Sequence, residues 1–245
     1  MTAVEPDQPR ADGSTPELVS VVLPIHNQAD HLRLVVDDFV RALSRLSVPH
    51  ELLLVVNGSR DASIDIAREL DRSWPSVRAL ESEQGGWGHA VRLGLAEARG
   101  DLVCYTNGAR TSAEDLVLVL LYAIAYPGVV VKVNRRVRDQ LYRRVGSLLF
   151  NLECRGLFEL ACWDINGTPK AFPRACAKLF GLTRQDDLLD LEFNIVCAVE
   201  RYRVLEVPIL STRRHGGRST TTPLSAAKLY WGAYQLWRAR RRGAA

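Results

Sequence analysis

Four stretches of the sequence bring polar side chains together at spacings that could do chemistry. Thr106-Asn107-Gly108-Ala109-Arg110 is a polar turn that breaks an apolar run and sets a guanidinium beside the hydroxyl of Thr111. A cation placed there could meet the charge of an anionic ligand. CWDINGTPKAFPR arranges Asp164, Asn166 and Lys170 around a Gly-Thr-Pro turn between apolar flanks. Asp186, Asp187, Asp190 and Glu192 gather just before an apolar helix. Acids at a helix N-terminus complement the dipole, and that accounts for Asp186 and Asp187. Glu192 stands inside the apolar run between Leu191 and Phe193, so it is expected to face a site. STRRHGGRSTTT, with Arg214 and Ser219, has the cations, glycines and hydroxyls of a loop that folds over phosphates.

These stretches need a scaffold, and the hydrophobic pattern supplies one. VSVVLP at residues 19–24 and ELLLVV at 51–56 are β-branched, nearly continuous runs, as expected of strands buried on both faces. Shorter strands are expected at 77–80, 102–105, 129–133 and 202–208. Between 29 and 46, apolar residues recur at Leu32, Val35, Val36, Phe39, Val40, Leu43 and Leu46, a helical stripe. Further helices are expected at 63–70, within 85–100, after Ser112, and at 148–161 and 193–199. Alternating strands and helices predict one α/β domain built on a mostly parallel sheet, whose ligand crevice lies outside the carboxyl ends of the strands. The turns His26-Asn27-Gln28, Asn57-Gly58-Ser59 and Thr106–Arg110 would all face it.

Three segments leave two readings open. The glycines at 85, 86 and 88 open a helix, either as a tight turn or as a place where backbone N–H groups approach a phosphate. The arginines at 135, 136, 138, 143 and 144 are either a solvated helix face or, on a long loop, a clamp for a diphosphate. The last helix carries Tyr230, Trp237 and four arginines near its end, and is either packed on the domain or laid on a membrane surface.

Composition narrows the class. The chain has 245 residues, 47% hydrophobic and 24% charged, and a net charge of +4 that gives no case for a nucleic-acid partner. Five scattered cysteines without CxxC spacing point to core thiols in a reducing, cytoplasmic compartment. No run reaches the roughly 20 apolar residues of a membrane span. Residues 1–16 are expected to be a disordered tail, 17–222 the domain, and 223–245 a basic, aromatic helix.

With those residues in place, the chain resembles the family 2 glycosyltransferases of the GT-A fold, near their dolichol- or polyprenol-phosphate mannosyltransferase-like branch. The resemblance rests on VVLPIHNQADHL, ELLLVVNGSRDAS, GGWGHAVRLGLAEARGD, WDINGTPKAFPR and EVPILSTRRHGGRS, in that order over about residues 18–222. It implies a nucleotide-sugar donor bound by the first half and an acceptor, a lipid phosphate or a hydroxyl, met by the second. By position, Pro24, His26, Gln28, Asn57 and Ser59 would line the base and ribose pocket. Asn107 would face the donor diphosphate, Arg143, Arg214 and Ser219 would reach phosphates, and Asp164, Asn166 and Glu192 would lie near the transferred sugar.

Two departures from the family pattern matter. Val56-Asn57 stands where the family has Asp-Asp, exchanging a carboxylate that only accepts for an amide that also donates. Asn107-Gly108-Ala109 replaces Asp-x-Asp, and Mg2+ or Mn2+ needs hard oxygen ligands that Ala109 does not offer. The expected enzyme is therefore a hexosyltransferase working without a tightly held metal, with Arg110 as the substitute cation. An alcohol acceptor would need Asp164 or Glu192 as base, whereas a phosphate acceptor would not. The alternative is a catalytically inactive GT-A-like protein that binds a nucleotide or a partner. A Rossmann dehydrogenase is disfavoured because no GxGxxG follows the first strand.

Overall fold

The structure, a computed structural model of the chain, describes residues 15–137, 141–210 and 223–243. Nearly all of the expected tail, and the loop bearing Arg214 and Ser219, lie outside that set. The apolar runs form β1 (Val19–Ile25), β2 (His50–Asn57), β3 (Val77–Ser82) and β4 (Leu102–Tyr105). They alternate with α1 (Leu32–Leu43), α2 (Ser63–Ser73) and α3 (Trp87–Glu97), and α4 (Ala113–Ala125) follows β4. The second half supplies β5 (Val130–Val137), α5 (Leu141–Phe158), β6 (Lys170–Pro173), α6 (Leu189–Val199), β7 (Val204–Leu210) and α7 (Pro223–Gly243). The sheet has seven strands in the order β3-β2-β1-β4-β6-β5-β7. β6 is antiparallel to both neighbours and every other pairing is parallel. This is the mixed, mostly parallel α/β sheet that the sequence predicts.

Helices cover both faces, which is why β1 is buried along its whole length. Val19, Val21, Leu23 and Ile25 meet Leu32, Val36 and Phe39 of α1 and Leu116 and Leu120 of α4. Val22, Leu53, Val103 and Tyr105 point the other way, to α3 and α6. α3 lies so close to β1 that a Cβ on Gly94 would come within 2.2 Å of Val22 Cγ1. Four of the cysteines are buried and all five are free thiols, as expected of core residues.

Two expectations change in the second half. The basic run is not one long loop: β5 continues through Arg135 to Val137, and α5 starts at Leu141 rather than 148. Arg143 falls in α5, with its side chain outside the described set. Residues 170–173 belong to a strand, β6, which fills the sheet between β4 and β5. One face of α7 packs on the domain: Leu229, Tyr230, Ala233 and Leu236 join Phe150 and Cys154 of α5 and Leu191 of α6 in a third apolar cluster. The Tyr230 hydroxyl donates to the Gly146 carbonyl at 2.5 Å, which seats α7 against α5. Among the described residues no helix is long and apolar enough to cross a membrane.

The amino-terminal edge of the sheet is fastened by Glu51, 6% exposed. Its carboxylate accepts from Ser20 Oγ at 2.7 Å, Arg99 N at 2.8 Å and Arg78 Nη1 at 2.9 Å, tying β1, β2, β3 and the end of α3. Burial pushes the Glu51 carboxyl up, but those donors outweigh it and hold it below its ordinary 4.5. Its contribution to stability is therefore complete above pH 4.5 and lost as pH falls through the lower folded-state value. Glu51→Ala, which takes the acceptor from the buried Ser20 hydroxyl and from two part-buried donors, is expected to cost about 2 kcal/mol in urea denaturation at neutral pH. Glu51→Gln is expected to flatten the fall in stability of the wild-type chain below about pH 5.

Candidate active site

The carboxyl ends of β1, β2 and β4 lie side by side, with Ile25 opposite Val56 and Val22 opposite Tyr105. The turns after β1 and β2 are sewn together by backbone-to-side-chain bonds. Asn27 N donates to Ser59 Oγ at 3.1 Å, Gln28 N to Ser63 Oγ at 3.0 Å and Ala29 N to Asp61 Oδ2 at 3.0 Å, while Arg60 N donates to Asn27 Oδ1 at 2.8 Å. Asn27 can hold this corner because asparagine tolerates the left-handed backbone, here at φ 51°. His26 Nδ1 donates to the Asn57 carbonyl at 2.8 Å and leaves the ring exposed at the edge. Pro24 is buried inside β1, so His26 rather than Pro24 presents a side chain at the surface.

Asn57, expected in the base pocket, is only 2% exposed and turned inward. Its Nδ2 donates to the Gly86 carbonyl at 3.0 Å, a bond that a carboxylate at this position could not make. The amide therefore fixes the glycine turn ahead of α3. That turn takes the tight-packing reading. A Cβ on Gly86 would lie 2.6 Å from Gln185 O and one on Gly88 2.6 Å from Arg184 O, and His89 N donates to Gln185 O at 3.0 Å. At Gly86 and Gly88, protein backbone occupies the close approach that glycine permits.

After β4 the chain forms a closed knot. Asn107 Oδ1 accepts from Ala109 N at 3.0 Å, Asn107 O accepts from Arg110 N and Thr111 N, and the hydroxyls of Thr106 and Thr111 meet at 2.7 Å. Ala109 is 1% exposed, and a Cβ on Gly108 would press on Leu23 and Val35. The donor set here does not suit Mg2+ or Mn2+. The Asn107 oxygen is used inside the turn, Ala109 has no ligand atom, and the described residues contain no cluster of three or more acidic, histidine or cysteine side chains fit for a metal. Arg110 is half-buried and makes polar contacts of its own.

Asp164, expected near the transferred sugar, lies against β5 in a bound state. Arg135 grips it with Nε at 2.7 Å and Nη2 at 2.8 Å and adds its backbone N–H at 3.1 Å. Burial would discharge Arg135, but the Asp164 carboxylate outweighs it and keeps the guanidinium charged. Asn166 keeps Oδ1 buried without a hydrogen-bond partner. Glu192, expected near the transferred sugar, is engaged by the protein itself. Its carboxylate accepts from Thr183 N, Thr183 Oγ1 and Arg184 N at 2.7–3.0 Å, closing the loop that packs on the glycine turn. The reason is local: α6 begins just before it, and the loop amides ahead of the helix need an acceptor. The side chains of Arg143, Arg214 and Ser219 lie outside the described residues.

Sequence reasoning missed a buried ionic layer beneath these turns. Lys132 and Lys170 are both 0% exposed. Lys132 Nζ donates to Asp164 O at 2.6 Å and Asn194 Oδ1 at 3.0 Å, with Glu206 Oε1 at 3.6 Å. Lys170 is paired with Asp190, which also accepts from Tyr105 OH at 2.9 Å and Trp87 Nε1 at 3.1 Å. Burial pulls the Lys170 ammonium down to about 8, with Asp190 opposing the fall. A lysine inside the apolar run VVVKVN was the available signal, since a buried ammonium needs a partner.

A sequence model described as Glycosyl transferase family 2 matches residues 20–170. The undecaprenyl-phosphate 4-deoxy-4-formamido-L-arabinose transferase of Pectobacterium atrosepticum is 27% identical over 140 residues, 56% of this chain and 43% of that protein. The protein of the same name from Pseudomonas fluorescens is 24% identical over 214 residues, 86% of this chain and 62% of that one. The chain thus spans about half the length of the curated relatives it matches. Glucosyl-3-phosphoglycerate synthase from Mycobacterium tuberculosis, solved with Mn2+, UDP and phosphoglyceric acid, superposes with a TM-score of 0.68 at 18% identity over 89% of this chain and 76% of its own. Its UDP complex gives 0.69 at 16% identity over 91% and 80%. At such identities the likeness is one of fold, the GT-A arrangement. On the family match, which covers more than half of its length, this chain belongs to glycosyl transferase family 2.

Proposed function

We propose that this chain transfers a sugar from a nucleoside-diphosphate donor to an acceptor whose attacking oxygen is already anionic, a polyprenyl phosphate. The carrying observation is that both candidate bases are engaged: Asp164 by the Arg135 fork, Glu192 by Thr183 and Arg184. A hydroxyl acceptor has to lose a proton as it attacks, but a phosphate oxygen does not. The curated relatives are named for undecaprenyl phosphate, and structures of the same fold hold UDP. The donor lies over the carboxyl ends of β1, β2 and β4, by His26, Ser59 and the Asn107–Arg110 turn. Arg110 neutralises the leaving diphosphate where the family's metal ligands are missing. Asn166 offers its buried, unpartnered oxygen to a sugar hydroxyl.

The acceptor's tail requires a lipid surface, and the α5–α7 pair supports one. α5 exposes Val145, Leu148, Leu149 and Leu152, a single stripe at helical spacing. Beside it α7 exposes Trp231, stacks Tyr234 on Trp237 at 5.8 Å and sets Arg241 over Trp237 at 4.7 Å. An apolar stripe bordered by aromatic rings and arginines suits an anionic bilayer surface.

Three outcomes are expected. A thermal-shift screen against UDP-, GDP- and dTDP-sugars gives stabilisation that persists in EDTA, and Arg110→Ala lowers transfer to polyprenyl phosphate about 100-fold with the fold intact. Strict manganese dependence overturns the guanidinium substitution, and no shift with any nucleotide overturns the donor reading. Glu192→Gln retains transfer within about tenfold of wild type, because removal of a true general base would cost about 100-fold or more. In co-sedimentation with phosphatidylglycerol vesicles, Leu148→Glu/Leu152→Glu loses most of the bound fraction, and high salt weakens wild-type binding; equal binding by the variant removes the membrane contact.

A further inference from the structure

We infer that Asp190 is a positioning residue that holds the donor-side glycine turn in place through the indole N–H of Trp87. Asp190 is 5% exposed in the first turn of α6. A carboxylate that merely complements a helix dipole needs no side-chain partners and sits in solvent. This one is taken by three side chains from three other elements: Tyr105 at the end of β4, Lys170 at the start of β6 and Trp87 at the start of α3. Its two oxygens divide the work. Oδ1 serves Tyr105 and Lys170 in the sheet, and Oδ2 serves Trp87.

Trp87 directly follows Gly86, whose φ of 129° only glycine adopts readily and whose carbonyl is held by Asn57. The turn is therefore pinned on one side from β2 and on the other from α6. It lies over the carboxyl end of β2, where a Cβ on Gly58 would come within 2.9 Å of Gly85 Cα. One helical turn further along the same face of α6, Asn194 donates to the Ile165 carbonyl at 3.0 Å and to the Asp190 carbonyl at 2.6 Å, and accepts from Lys132. Residues 190 and 194 thus join the donor-side turn to the loop that carries Asp164 and Asn166. Lys170 keeps Asp190 compensated, since an unpaired buried carboxylate would not stay charged.

This inference rests on the proposed donor position, and the full-length chain separates the two in one experiment. UDP, GDP and dTDP binding is measured by calorimetry for wild type, Trp87→Phe and Lys170→Met/Asp190→Asn, with melting curves for each. Trp87→Phe keeps a ring against Tyr105, now 6.3 Å away and edge-on, and deletes a single donor. It is expected to weaken binding of the preferred nucleotide about tenfold. The double variant removes both charges of a buried pair, so neither is left uncompensated. Its amide keeps an oxygen for Trp87 and can turn its N–H to the Tyr105 hydroxyl, which also accepts, so it is expected to bind within about threefold of wild type. If wild type binds a nucleotide and Trp87→Phe binds it equally well, or the double variant loses as much affinity as Trp87→Phe, Asp190 does not act through the Trp87 N–H and the inference falls. If wild type binds none of the three, the donor reading falls and takes this inference with it.

Discussion

The carboxyl end of the sheet depends on a buried balance of charge. Lys132, Arg135 and Lys170 stand against Asp164, Asp190 and Glu206 in a layer between β4, β5, β6, β7 and α6. None of these ions could be buried alone, because desolvation would cost several kcal/mol each. Paired, they set the backbone around them: Lys132 holds the Asp164 carbonyl, and Glu206 accepts from the amides of Trp163 and Asp164. A hydrophobic core of equal volume would hold the elements together as firmly. It would not fix where Asp164, Asn166 and the glycine turn face, since apolar contact is non-directional and hydrogen bonds are directional.

That distinction explains how much was legible. The first four strands and their helices could be read because each carries its own pattern: β-branched runs, a helical stripe and a polar turn, all local. β6 could not, because KAFP is four residues long, begins with lysine and ends with proline, and is a strand only because β4 and β5 flank it. The family resemblance located the turns that meet at the sheet edge, yet not what their side chains do there. Asn57 turns inward to Gly86, and Glu192 closes a loop, because in each case a nearby backbone group lacks a partner that only the folded chain reveals. Trp87 and Asp190, which meet across 103 positions, left no trace in spacing.

The loss of metal ligands after β4 and the amide at Asn57 belong together physically. Both remove a negative side chain from the rim of the same crevice, and both hand its hydrogen-bonding capacity to the protein's own backbone. Fewer fixed carboxylates there leave a rim that repels an anion less. Asp164 is used in a similar way: the Arg135 fork makes its carboxylate a bracket for the loop around it.

β6 also has a bearing on what the sheet leaves exposed. β1 pairs with β2 and β2 with β3 across single strand-helix units, whereas β1 meets β4 from Val19 to Leu102, 83 positions away. β5 and β7 are tied to this first half of the sheet through the short bridge in which Lys170 lies opposite Tyr105. Without it, Tyr105 and Cys104 would border an unpaired edge. The lysine that completes the ionic layer is also the first residue of the strand that covers that edge, so one short strand both balances the buried charge and closes the sheet.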